Sequence, residues 1–157
     1  MIKVASFEEA HAIPGMKSIS CDSTGIYVQR ATPEEIEAER KNKWRQIEAV
    51  RDSKIANGVL VNGFWWQTSV NARIRYMGAA AMGAEFVATD TWKTMTGEKT
   101  TLTGSIAAQI MMAVAVMEKD VFAAAEFHKT AMMASEDPSI YDFSGGWPDT
   151  FGEYIET

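Results

Sequence analysis

Val59-Leu60-Val61-Asn62-Gly63-Phe64-Trp65-Trp66-Gln67-Thr68 is two short apolar runs joined by Asn-Gly. Both central residues of a tight hairpin turn need φ > 0, which asparagine and glycine tolerate best. The stretch therefore reads as a β-hairpin. Asn57-Gly58, just before it, is the stop signal of a helix. A second hairpin is read as Thr91-Trp92-Lys93-Thr94, a turn around Thr96-Gly97, and Lys99-Thr100-Thr101-Leu102.

Working outward, three helices frame the hairpins. Thr32-Pro33-Glu34-Glu35 offers an N-cap threonine, proline at the first helical position and glutamate three residues after the cap. The helix it starts runs to about Ala56, with Ile36, Trp44, Ile47, Val50 and Ile55 as a narrow apolar stripe among many charges. A second helix is expected from near Ser69 to near Phe86, with Val70, Ile74, Met77, Ala81 and Ala84 at helical spacing. Gly78, Gly83 and the alanines weaken it but allow close approach of another helix. Thr103 caps a third helix to about Ala134. Ile106, Ile110, Val114, Met117, Val121, Ala124, His128 and Ala131 recur along it at steps near a heptad. Such a seam is expected to meet another helix, and a second copy of the chain is one candidate. Trp44, Ile47, Trp92, Leu102, Ile110 and Val114 are the expected core.

The fold class is then α+β: three helices and two short β-hairpins in the order α-ββ-α-ββ-α, flanked by irregular arms. The segments are an N-terminal arm over 1–31, a helix/hairpin domain over 32–134 and an aromatic tail over 135–157. Residues 1–31 show no sustained period, although Gly25 to Gln29 reads as one short strand. The tail carries Tyr141, Phe143, Trp147, Phe151 and Tyr154 among glycines and prolines. It is expected to fold back on the domain or to insert into a neighbour, with Trp147 as the anchor.

A length of 157 residues with 46% hydrophobic content suits one domain with a sizeable core. The net charge of −6 opposes binding to phosphate backbones, so nucleic acid is not expected as a partner. The single cysteine, Cys21, has no partner for an internal disulfide and reads as a small, partly buried side chain. The apolar run Ile106 to Val116 is too short to span a bilayer, so no membrane insertion is expected. No signal peptide is read at the start, which points to synthesis in the cytosol.

The chemistry-bearing residues form no recognisable catalytic pattern. His11 and His128 are distant, and His128 on the helix seam reads as a packed residue. Gly97-Glu98-Lys99-Thr100 lacks the glycine a phosphate loop needs and lies in a hairpin. Glu136, Asp137, Asp142 and Asp149 do not match a calcium loop. No catalytic residue, cofactor or metal site is therefore assigned. Trp65 and Trp66 alternate across a strand, so one is expected inside and the other outside as a partner anchor. The candidate partner-binding residues are Trp65, Trp66, Met117, Val121, Tyr141, Phe143, Trp147 and Phe151.

From about Lys43 to Ala134 the chain resembles a small domain of unknown biochemical function found in tailed-phage genomes, commonly encoded in or near tail-fibre genes. The likeness rests on Trp44-Arg45-Gln46-Ile47, the first hairpin, Ala72-Arg73-Ile74, Trp92-Lys93-Thr94, and Thr100-Thr101-Leu102-Thr103 leading into the long helix. Members of that family often carry an aspartate where the first hairpin meets the second helix. Gln67-Thr68-Ser69 stands there in this chain, and Thr68 or Ser69 can still cap the helix. The resemblance implies a non-enzymatic virion protein of the tail fibre or baseplate, made in the host cytoplasm and bound to other tail or fibre proteins. A tail-fibre assembly chaperone and a tail-associated enzyme degrading glycan or peptidoglycan are the alternatives.

Overall fold

The start of the first long helix shows how closely local sequence governs this chain. Glu35 N–H donates to the Thr32 hydroxyl at 3.2 Å, and Thr32 N–H donates to the Glu35 carboxylate at 2.7 Å. Two donors that a helix leaves orphaned are satisfied reciprocally. In a computed structural model, residues 1–154 are described, with side chains to Gly152; the side chain of Tyr154 lies outside the described set. The order is β1 (Ile2–Val4), α1 (Phe7–Ala12), β2 (Lys17–Asp22), β3 (Gly25–Arg30), α2 (Pro33–Ala56), β4 (Val59–Val61), β5 (Phe64–Trp66), α3 (Val70–Ala81), β6 (Val87–Lys93), β7 (Lys99–Thr103), α4 (Gly104–Ala134), a 3-10 turn (Pro138–Ile140) and α5 (Phe151–Tyr154). The protein is thus a mixture of helices with small antiparallel sheets.

The chain forms two compact units, and both long helices contribute to each. One unit holds Met1–Glu48 and Glu126–Gly145; the other holds Ala49–Ala125 and the segment from Gly146 onward. In the first unit, residues 1–31 are a three-stranded antiparallel sheet in the order β1-β3-β2 with α1 between its first two strands. This replaces the irregular arm expected there. The period was hidden because the core is tiny: Val4, Ala10 and Val28 are buried, with Ile13, Ile19 and Ile26 packed on them. Asp22 turns the β2–β3 hairpin by accepting from Thr24 and Gly25 N–H groups. Those bonds, the Thr24 hydroxyl foremost, hold its carboxyl below the usual carboxylate range. Cys21 is exposed on β2, not partly buried.

Elsewhere in this unit, Trp44 is half-buried rather than core, with the Lys129 ammonium 4.5 Å from its ring centre. Lys43 is the more buried neighbour, and its ammonium donates to the Ser139 carbonyl at 2.8 Å. His128 is packed as expected. Nε2 donates to the Gly145 carbonyl and Nδ1 meets the Tyr141 hydroxyl, both at 2.9 Å.

In the second unit, β4 and β5 form the expected hairpin with Asn62 at φ 52° and Gly63 at φ 81°. The second hairpin is longer than read, β6 beginning at Val87 with a register shift between Val87 and Thr91. The α4 seam is buried against its own chain: Ile110, Val114, Met117 and Val121 all lie inside, with Ala107 and Leu102. Their apolar periodicity is consumed within the unit, which removes the sequence-based reason for self-association.

The helix α3 ends at Ala81 rather than near Phe86, and it turns a different face inward than the spacing predicts. Ala72, Tyr76 and Ala79 are buried, whereas Val70, Ile74 and Met77 are exposed. Tyr76 decides the face, because its ring sits 4.9 Å from Trp92 and 6.2 Å from Trp66. The small residues do permit close approach. A Cβ built on Gly104, at the start of α4, would lie 1.9 Å from the Gly83 carbonyl oxygen and 3.0 Å from that of Ala79.

Candidate functional site

The junction of the first hairpin and α3 organises the second unit. The Thr68 hydroxyl donates to the Ile55 carbonyl at 2.7 Å and accepts from Gly58 N–H at 3.1 Å. One side chain thus ties the end of α2 to the hairpin that follows it. Ser69 caps α3 by accepting from Ala72 N–H. Gln67 reaches the other hairpin, accepting from the Trp92 indole and donating to the Lys93 carbonyl, both at 2.8 Å. Arg73 donates to the Thr68 carbonyl at 2.7 Å and pairs with Glu118 of α4. Gln67, Thr68 and Ser69 therefore act as a structural knot.

Around this knot both indoles of the hairpin are buried. Trp66, 1% exposed, enters the core and donates to the Val61 carbonyl. Trp65 points to the opposite face, as strand alternation requires. It is nevertheless only 6% exposed, because Phe151 of the tail packs against its ring at 5.8 Å. The tail is pinned there by Phe151 N–H donating to the Asn57 carbonyl and by Lys54 donating to the Pro148 carbonyl. The sequence reading, with one tryptophan left outside, fails because it could not place this distant cover.

The covered face of the hairpin leaves an open groove of about 610 Å³. Leu60 and Trp65 of the hairpin line one side, and Met112, Val116 and Met117 of α4 line the other. Met112 is 73% exposed and Val116 54%. Asp120 of α4 and Asp149 of the tail stand in the lining, which among the described residues includes no lysine or arginine. Asn62, at the hairpin turn, donates to Gln109 at 3.1 Å and sets the hairpin's distance from α4. The groove is mostly apolar, and among the described residues its charged lining groups are acidic.

Of the residues the sequence singled out, Trp65 and Met117 line this groove, while Trp66 and Val121 are core. Trp147 and Phe151 are half-buried in the same unit, Trp147 against its core. Tyr141 and Phe143 are half-buried in the other unit, beside His128 and Lys43. The sequence reading missed Leu60, Met112, Val116 and Asp120. A signal for them existed: Met112, Val116 and Asp120 follow one another at steps of four, off the buried seam.

Other polar features serve structure. Asp137 caps the 3-10 turn, and Asp142 accepts from Ser144 N–H, which holds its carboxyl below the ordinary range. Among the described residues no cluster of His, Cys, Asp or Glu is placed to hold a metal ion, and no helix is long and apolar enough to cross a membrane.

The protein is thus a mixture of helices and small antiparallel sheets that carries an open, mostly apolar groove. Residues 38–145 match the family model described as Domain of unknown function (DUF4376), over more than half of the chain, and the chain belongs to that family. Comparison with curated proteins and with solved structures found no match.

Proposed function

We propose that this protein is a non-enzymatic structural or adaptor subunit of a tailed-phage virion, placed in or near the tail fibre or baseplate. The observation that carries the adaptor reading is the open groove between the first hairpin and α4, where Leu60, Met112 and Val116 remain accessible. Exposed apolar surface framed by a helix and a hairpin favours a protein partner. The phage setting comes from the resemblance of the residues around Trp44, the first hairpin and Trp92. We also infer that the helix, hairpin, helix, hairpin, helix order from α2 to α4 is the arrangement the family shares. The flanking segments then vary around it.

Mass spectrometry of purified virions tests the reading. The chain should be recovered in amounts comparable with other tail proteins. Its absence from particles, with recovery bound to fibre protein in infected cells, would make it an assembly chaperone instead. Turnover of capsule or cell-wall polysaccharide by the isolated protein would make it an enzyme.

A further inference from the structure

We infer that the groove of the second unit receives a segment of another protein that carries two or more large apolar side chains flanked by lysine or arginine. This deepens the adaptor reading and rests on it for the setting, but the chemistry stands on the groove alone.

Three observations select the occupant. Most of the lining is aliphatic, thioether or indole, with Leu60, Met112 and Val116 in reach of solvent. A space of about 610 Å³ accommodates a few side chains of leucine or phenylalanine size, within the range of built ligand sites. Methionine at the exposed lip adapts its shape to the side chain presented. Next, the charges in the lining are of one sign. Among the described residues, Asp120 and Asp149 have no ion-pair partner and no cation lines the groove. Lys54, close in sequence to the hairpin, is buried and donates to the Pro148 carbonyl without entering the lining. An incoming cation would find two carboxylates with nothing to displace. Last, Trp65 is only 6% exposed, since Phe151 packs against its ring. A sugar would need the open face of that ring to stack on, and a nucleic acid would be repelled by the acids.

The test is selection of random 12-residue peptides, displayed on a carrier, by the full chain. The M112K/V116K variant serves for counter-selection, since both side chains are exposed. Matching thermal melts of the two proteins establish that the variant is folded. Peptides enriched on the native chain should hold at least two of Leu, Ile, Met and Phe and a net positive charge. They should lose about tenfold or more in affinity on M112K/V116K. The D120K/D149K variant should select net negative peptides with the same apolar content. No enrichment over the counter-selected variant, or enriched peptides that are acidic or lack large apolar residues, would overturn the inference. Virion mass spectrometry reports on the setting independently. A chain that selects these peptides but is absent from particles keeps the groove chemistry and loses the virion assignment.

Discussion

At the scale of single residues, Tyr76 and Thr68 represent opposite solutions to burying a hydroxyl. Thr68 spends its hydroxyl on two backbone groups, Ile55 C=O and Gly58 N–H. Replacing it with valine keeps the shape and strands both groups. Thr68→Val should cost about 1–3 kcal/mol, read as a lower urea midpoint at unchanged slope. Tyr76 is fully buried between Trp66 and Trp92, and its hydroxyl has no hydrogen-bond partner among the described residues. Tyr76→Phe should therefore leave stability unchanged or raise it by about 1 kcal/mol. Burial raises the Tyr76 phenol far above its ordinary value, with Arg75 pulling weakly the other way. The unfolded chain releases this proton near pH 10, while the folded chain still holds it. Unfolding then releases a proton, so stability falls as pH rises above about 10, and the neutral-pH side carries the full contribution. Comparing urea midpoints at about pH 8 and about pH 10.5 should show a smaller fall in Tyr76→Phe than in the native chain. Tyr141, raised by desolvation and by Asp142, keeps a residual fall in both. An equal fall in the two proteins would remove Tyr76 as its source.

Elements show where sequence was enough and where it was not. Local chemistry was legible. The Thr32/Glu35 box, the Asn62-Gly63 turn and the Thr103 cap of α4 all form as their residues require. Each depends on atoms a few positions away. The face of α3 was not legible, because Val70, Ile74 and Met77 have the better apolar spacing yet lie outside. What turns the helix is contact between Tyr76 and two tryptophans that come from separate hairpins. The groove was half legible: Trp65 and Met117 were noted, but the tail that caps Trp65 is more than eighty positions away. The approach of α4 to Gly83 is equally non-local. A methyl group at Gly104 would collide with backbone, which cannot rotate away as a side chain can. Gly104→Ala should cost about 1–3 kcal/mol or more despite alanine's better helix propensity. A thermal melt showing stabilisation would mean that α4 starts farther from Gly83.

For the whole molecule, the family match over 38–145 takes part of each compact unit and leaves out the N-terminal sheet and the last residues of the tail. Those last residues are nonetheless structural. Thr150 is buried, Phe151 covers Trp65, and Pro148 and Asp149 line the groove. Truncation after Gly145 should uncover Trp65 and Trp147's site, costing about 3 kcal/mol or more from the apolar area of two aromatic rings. It should also erase peptide binding. Unchanged stability after this truncation would return the tail to the role of a free docking arm. In the proposed setting, this chain joins a tail assembly through the groove between the first hairpin and α4. A cryo-electron microscopy map of the intact particle addresses it most directly. Density from a neighbouring protein is expected between Leu60 and Val116, with a lysine or arginine beside Asp120 or Asp149. A chain seated in the particle with that groove open to solvent would contradict it.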